Sequence, residues 1–395
     1  MMKKTIKDLD IKNKRVLVRC DFNVPLNDEG EITDDNRITT AVPTIEYILK
    51  NGGKAILMSH LGRPKGLPNK KLSLKPVAKR LEEILGTEVV FGDYDDVVNE
   101  DVIKLSNKDY DKILLLQNTR FRKEEKENDE NFAKELSKLG DLFINDAFGT
   151  SHRAHASNVG VAKILPNAVG FLVEKEIEKI GGVLENPEKP FIAILGGAKV
   201  SDKINVIDNL LNIADKIIIG GGMAFTFVAA QGYEVGKSIL EKDKIDLARS
   251  LMKKADDKGV DLVLPVDYKV AEEFSNDSEW KTVSFENIPS DYMGLDIGEK
   301  SIELFSNLIK DAKTVIWNGP MGVFEFDNFA EGTNKICQVL AENDILSIIG
   351  GGDSAAAVKK AGLEKSMTHI STGGGASLEF MEGKKLPGIE VIDNK

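Results

Sequence analysis

The sequence predicts an α/β protein of two Rossmann-like domains, each a mostly parallel sheet with helices on both faces, joined by a hinge helix. Three observations carry this. Ten short apolar runs recur along the 395 residues, each ending abruptly in glycine or polar residues. Helix-period segments lie between them. The runs are nearly continuous in apolar residues rather than alternating, as strands covered on both faces require. Ten strands over this length suit two sheets better than one core.

In order, the runs are RVLVRCDFN from Arg15, KAILMSHLGRP from Lys54, KILLLQNTRF from Lys112 and LFINDAFGTSHRAH from Leu142. FIAILGGAK from Phe191, KIIIGGGMA from Lys216 and DLVLPVDYK from Asp261 follow. TVIWNGPMG from Thr314, ILSIIGGGDS from Ile345 and THISTGGGAS from Thr368 complete the set. Helical periodicity marks 74–85, 130–139, 241–259 and 299–312. The stretch FLVEKEIEKIGGVLENPEKP (171–190) reads as a helix broken at Gly181-Gly182 and ended by Asn186-Pro187. It is the expected hinge between a first domain, 1–170, and a second, 191–377.

Composition excludes several classes. No apolar run approaches the ~20 residues that span a bilayer. The start, MMKKTIKDLD, is charged and lacks the apolar core of a secretory leader. The two cysteines, Cys20 and Cys337, argue against a disulfide scaffold or structural zinc and fit a reducing cytoplasm. The net charge of −11 is unevenly spread. Residues 1–170 hold 28 Lys and Arg against 27 Asp and Glu, so the deficit lies in the remainder. Eight of the nine arginines fall in the first 153 residues. Arginine suits bidentate recognition of phosphate or carboxylate. Neither half has the basic excess that nucleic acid demands.

The unusual residues cluster just after the apolar runs, on the C-terminal edges of the strands, where open parallel sheets bind ligands. In the first half these are Asp21, Asn23, His60, Arg63, Asn118, Arg120, Asp146, His152 and Arg153. In the second they are glycine doublets and triplets with Lys199, Lys203, Asn318, Asp353 and Thr372. One half presents a cationic rim, the other a rim of glycine amides.

Ile345 to Lys360 reads as strand, tight turn and helix start. Its glycines let backbone approach a ligand, and unpaired N–H groups at a helix start favour phosphate. Asp353 would repel a bare phosphate but suits one carrying a divalent metal. Gly350-x-Gly352-x-x-Ala355 also fits a dinucleotide fingerprint, yet no acidic residue stands at the next strand end, His369 to Thr372. Gly232 to Ser238 imitates a phosphate-binding loop with one residue too few, and reads as a surface loop. After FIAIL, a helix starting near Lys199 would put Lys199 and Lys203 on one face, ready for a polyphosphate. His60, His152 and His155 lack zinc spacing, and the Arg153 between the latter two favours an anion.

These stretches together resemble the phosphoglycerate kinase family. The resemblance rests on RCDFNVPL (19–26), DDNRI (34–38), SHLGRPKG (59–66), NTRF (118–121) and NDAFGTSHRAHAS (145–157). It continues through GGAKVSDKI (196–204), GGGMAFTF (220–227), WNGPMGVFEF (317–326), GGGDSAAA (350–357) and STGGGASLEF (371–380), in the family's order. The resemblance implies a first domain that holds 3-phosphoglycerate or 1,3-bisphosphoglycerate through Asp21, Asn23, Arg37, His60, Arg63, Arg120, His152 and Arg153. It implies a second domain that holds Mg-ADP or Mg-ATP through Gly197, Ala198, Lys199, Lys203, Gly221, Leu295, Asn318, Pro320, Gly322, Glu325, Gly351, Gly352, Asp353 and Ser354. Asp353 is then the magnesium ligand, and residues 378–395 return to complete the first domain. Gln117 and Ser151 depart from the family pattern, which commonly has Glu and Ala there.

The reaction so implied is reversible transfer of the acyl phosphate of 1,3-bisphosphoglycerate to ADP. Both nucleophiles are already anionic, so positioning and charge neutralisation suffice, and no general base is needed. Arg37, Lys199 and the amides of Gly351, Gly352 and Gly373 are expected at the phosphoryl group in flight, the domains closing to bring the substrates in line. A monomeric cytoplasmic enzyme with small-molecule substrates is expected, without nucleic-acid or membrane partners. A two-domain NAD(P)-dependent dehydrogenase and a non-catalytic nucleotide- or anion-binding protein are the alternatives at this point.

Overall fold

The structure, a computed structural model, describes residues 2–108 and 111–395. The chain divides into two compact units. One runs to Glu178 and takes in Lys385–Lys395; the other is Lys179–Lys384.

The first unit carries six strands: β1 (Arg15–Cys20), β2 (Lys54–Met58), β3 (Val89–Gly92), β4 (Ile113–Leu116), β5 (Leu142–Asp146) and β6 (Asn167–Val169). They form one wholly parallel sheet in the order β3-β4-β2-β1-β5-β6. β2, β4 and β5 are buried along their whole length, which is why they read as unbroken apolar runs. A core that includes Val16, Val18, Ile45, Leu57, Val77, Leu81 and Leu115 joins sheet to helices such as Val42–Lys50 and Lys75–Leu85.

The second unit repeats the plan with β7 (Phe191–Leu195), β8 (Lys216–Ile219), β9 (Asp261–Val263), β13 (Thr314–Asn318), β14 (Leu346–Gly350) and β15 (His369–Ile370). Their order is β15-β14-β13-β7-β8-β9, again all parallel. A separate antiparallel sheet, β11-β10-β12, is made by β10 (Asp267–Ala271), β11 (Trp280–Ser284) and β12 (Met293–Ile297). Trp317, Phe305, Ile297, Tyr268 and Ile349 lie in the larger core of this unit.

All ten anticipated runs contain strands, and the four helical segments are helices at Lys75–Leu85, Glu130–Ser137, Ile245–Lys258 and Glu299–Lys310. Four points differ. β3 and β6 lie outside the ten runs, being only four and three residues long. The antiparallel sheet is read only in part: β10 begins inside the run from Asp261, whereas β11 is largely solvent-facing and polar and escapes the apolar-run criterion. The helix after β7 is Ile204–Leu210, so Lys199 lies in an irregular loop, Lys203 caps the helix, and the two share no helix face. The segment 171–190, expected to be a hinge, is not broken at its glycines. Helix continues over Phe171–Glu176, a wide π turn at Ile177–Gly181 and Gly182–Glu185, with Gly181 itself at helical φ −61°. A glycine pair costs helix stability but does not forbid the conformation.

Candidate active site

In the first unit the sheet aligns the ends of β4, β2, β1 and β5 side by side, with Arg19 in register with Met58 and Cys20 with Asp146. The strand order reverses between β1 and β5, the place where ligands enter such sheets. The loops beyond these ends are knitted together. Asn23 Oδ1 accepts from the Gly62 N–H at 2.8 Å, and Arg120 Nη1 donates to the Gly62 carbonyl at 2.8 Å. Gly62 sits at φ +61°, which favours glycine. Asn118 Oδ1 takes the N–H groups of Leu61 and Arg120. Arg37 pairs with Asp21 through Nη1 and Oδ2.

Arg120 has donors to spare. It is 6% exposed, and its Nε and Nη2 have no acceptor in the protein. Burial, with Arg19 and Arg153 nearby, lowers its pKa to about 10. A buried guanidinium with two idle donors is costly unless an anion completes it. Arg63 and Arg153 are exposed, and Arg153 Nε donates to His152 Nε2 at 3.0 Å. His60 is buried, and burial followed by the field of Arg19 and Arg120 drives its pKa well below the ordinary value. Asp21, Asn23, Arg37, His60 and Arg120 thus meet at one rim. His155 does not present itself to an anion: it points inward, its pKa lowered to about 3 by burial and neighbouring arginines. Asp146 is buried beneath the rim, where its Oδ1 accepts from the Leu172 N–H at 2.9 Å.

Sequence reasoning missed the layer beneath. Arg19, fully buried in β1, lies 3.8 Å from the equally buried Glu125. The one legible signal was a charge inside the apolar run VLVRC.

In the second unit the order reverses between β7 and β13. Three loops interlock there through backbone alone. Gly197 N–H donates to the Pro320 carbonyl at 3.1 Å, Gly221 N–H to that of Met321 at 3.0 Å, and Met223 N–H to that of Gly197 at 3.0 Å. The glycines divide into two kinds. A Cβ on Gly196 would lie 2.1 Å from the Pro320 oxygen, and one on Gly319 2.3 Å from the Gly196 oxygen. These are glycines because loops touch. Gly197, Gly352 and Gly374 face open space instead, where a ligand has room to approach.

Asn318, at the end of β13, accepts from Lys203 Nζ through Oδ1, while its buried Nδ2 has no partner. Burial lowers the Lys203 pKa, against the opposing pull of Asp202, Asp353 and Glu382. The helix Gly352–Lys360 follows Gly351 at φ +89°, and its first internal bond runs from Ala355 N–H to Gly351. The N–H groups of Gly352, Asp353 and Ser354 therefore stand ahead of that bond. Ser354 is buried and its hydroxyl accepts from the Gly319 N–H at 2.6 Å, so it ties two loops together. Gly373 N–H already donates to Ser371 Oγ at 3.1 Å. Lys199, Ala198 and Glu325 are exposed. Leu295, on β12, reaches the same region: its carbonyl accepts from Val323 N–H at 2.8 Å, beside Gly322. Val323 and Phe326 pack with Leu295 and Phe329 in a small apolar cluster.

The donor set fits magnesium of one kind only. Among the described residues no three His, Cys, Asp or Glu side chains cluster into a protein-built metal site. Asp353 is exposed on the first turn of its helix, a single hard oxygen ligand of the sort that shares magnesium with phosphates.

The phosphoglycerate kinase family model matches residues 6–384. The chain belongs to the phosphoglycerate kinase family. It is 59% identical to the phosphoglycerate kinase of Finegoldia magna, with all of both chains covered. It is 58% identical to that of Clostridium tetani, covering 98% of it. Among solved structures, phosphoglycerate kinase from Coxiella burnetii matches with TM-score 0.90 and 41% identity over 98% of each chain. The enzyme from Pyrococcus horikoshii matches at 0.83 and 32%, over 99% of this chain and 98% of that one. The chain is therefore a phosphotransferase of this family, and its reaction is the reversible transfer of phosphate between 1,3-bisphosphoglycerate and ADP.

Proposed function

We propose that the arginine rim of the first unit holds the phosphoglycerate and the glycine rim of the second holds the nucleotide. Arg120 carries the first assignment. Its two idle buried donors call for a bidentate anion, and phosphoglycerate brings phosphate and carboxylate. Arg63, His152 and Arg153 add donors at the edge, and Asp21 and Asn23 take the hydroxyl and its neighbouring oxygens. Arg37 exchanges Asp21 for the phosphoryl oxygens as they develop charge.

In the second unit Leu295, Pro320, Gly322 and Glu325 form the adenosine pocket with Gly197, Ala198 and Gly221. Lys203, Asn318 Nδ2 and the N–H groups of Gly351, Gly352 and Ser354 take the phosphates, helped by the positive end of the helix that begins at Gly352. Asp353 would hold the nucleotide's magnesium, which when bound neutralises phosphate charge. Lys199 neutralises the phosphoryl group in flight. The amide of Gly373 joins it by giving up Ser371 Oγ. Transfer is direct and in line, assisted by charge neutralisation rather than by a base. The enzyme acts as a monomer in the cytoplasm, in keeping with two rims each built from this one chain and two buried free cysteines.

A coupled assay with ATP and 3-phosphoglycerate tests the assignment. Arg37→Ala and Lys199→Ala are each expected to lower kcat roughly 10²–10³-fold while both substrates still bind. Asp353→Ala weakens the magnesium nucleotide and leaves 3-phosphoglycerate affinity unchanged. Near-normal turnover in either cation variant, or a matching loss of 3-phosphoglycerate binding in the third, refutes the corresponding role.

A further inference from the structure

Arg19 is fully buried, and of the positions assigned to substrate it is His60 that its hydrogen-bonding groups meet. Its Nε donates to Ser157 Oγ at 2.7 Å, its Nη1 to the Cys20 carbonyl, and its Nη2 meets His60 Nδ1 at 3.2 Å. Glu125 lies 3.8 Å from the same Nη2, fully buried. That carboxylate is itself fixed, by the Ser157 hydroxyl at 2.6 Å, the Ser157 N–H at 3.0 Å and the Thr119 hydroxyl at 3.2 Å. Ser157 therefore accepts from Arg19 and donates to Glu125, which closes a triangle under the rim.

A guanidinium has five donors, no acceptor and a proton it does not release. The imidazole nitrogen it meets must offer a lone pair. We propose that Arg19, held by Glu125 and Ser157, is a positioning residue that fixes His60 as its neutral Nε2–H tautomer, so that the anion site receives a hydrogen-bond donor there rather than a cation. The inference rests on the reading that His60 faces the phosphoglycerate. The other groups around the ring act in the same sense. Arg19, Arg120, Arg37 and His155 all oppose a charge on it. The buried carboxylates of this region are engaged elsewhere: Glu125 by Arg19, Ser157 and Thr119, Asp21 by Arg37, and Asp146 by the Leu172 N–H. The contribution of His60 to anion binding should then stay constant where an ordinary histidine, with a pKa of about 6.5, would titrate.

Nitrogen NMR on the full chain labelled at its four histidines tests this. The His60 resonances are identified by their loss in His60→Gln. A protonated Nε2 and a bare Nδ1, unchanged from about pH 5.5 to about 8, are expected. A doubly protonated ring or an Nδ1–H tautomer in that range overturns the proposal. Arg19→Met combined with Glu125→Gln removes donor and charge together and leaves no unpaired buried ion. In that protein both neutral tautomers should appear, since nothing then demands a lone pair at Nδ1; a ring still locked as Nε2–H excludes Arg19 as the cause. Should the double variant not fold, the unmodified protein's spectrum decides alone. Binding of 3-phosphoglycerate tests the underlying reading separately. His60→Gln retains an amide at the reach of Nε2 and should hold the Kd within roughly threefold, whereas His60→Asn should raise it roughly tenfold. Unchanged affinity in both removes His60 from the anion site and leaves the tautomer result standing.

Discussion

Asp296 shows how one buried carboxylate ties chemistry to pH. It is 2% exposed, accepts from the Gly332 N–H at 2.9 Å, and lies against Gly322, where a Cβ would fall 2.4 Å from its Oδ1. Burial pushes its pKa up to about 7 against the pull of the Gly332 and Ile297 N–H groups and of Lys269. The folded state therefore keeps a proton that the unfolded chain loses near pH 4. Below that pH both states are protonated and nothing is lost; between about 4 and about 7 stability falls as pH rises. Asp296→Asn should flatten this limb, so urea midpoints of variant and parent should diverge progressively from pH 4 to pH 7. Parallel curves would mean that Asp296 ionises normally. Gln117, one of the two departures from the family pattern, is explained at this scale. Its Nε2 donates to Ser73 Oγ at 3.0 Å and Asp93 Oδ1 at 3.1 Å, while its Oε1 accepts from Leu74 and Asn118 N–H groups. A glutamate would face Asp93 with like charge.

At the scale of elements, the strand-end loops of the second unit do two different jobs with the same residue type. Gly196 and Gly319 let loops touch; Gly352 leaves room at a helix start. The distinction predicts opposite outcomes. Gly196→Ala drives a methyl into backbone and should destabilise the unit by roughly 1–3 kcal/mol or more, read as a lower thermal midpoint. Gly352→Ala meets no atom and replaces a poor helix former with the best one. Its midpoint should be equal or higher, yet on the proposed assignment kcat/KM for magnesium nucleotide should fall roughly tenfold or more, because the methyl would then stand between phosphate and the amides. Unaltered kinetics in Gly352→Ala would remove that helix start from the nucleotide site.

At the scale of the molecule, the chain's end belongs with its beginning. Lys3 bridges Asn394, Asn145 Nδ2 donates to the Gly388 carbonyl at 2.7 Å, Gly388 N–H donates to the Ser151 carbonyl at 2.8 Å, and Asp393 N–H donates to Asn167 Oδ1 at 2.9 Å. Ser151, the other departure, adds a hydroxyl that accepts from Asn145 at 3.1 Å. Leu386, Ile389 and Ile392 are buried, each worth roughly 1.5–3 kcal/mol. Truncation after Lys384 should therefore lower the unfolding midpoint of the first unit by calorimetry and leave the second unit's transition in place. A single unshifted profile would show the tail to be dispensable. Among the described residues no helix is long and apolar enough to cross a membrane, in line with the composition.

What the sequence settled by itself was everything carried by local pattern. Apolar runs marked ten of the twelve parallel strands because both of their faces are buried; the short edge strands β3 and β6 carried too little pattern to read. Motif order identified the family. What only the tertiary structure decided was adjacency. Strand order put the reversals at β1/β5 and β7/β13, and no local pattern records which strand lies beside which. The same holds for Arg19, Glu125 and Ser157, which are far apart in the chain and meet where two helical segments pack against the end of β1. The solvent-facing β11 and the irregular loop at Lys199 escaped because neither has a period to read. Glycine behaved likewise: the sequence counts glycines, but only packing separates those that let loops touch from those that face open space.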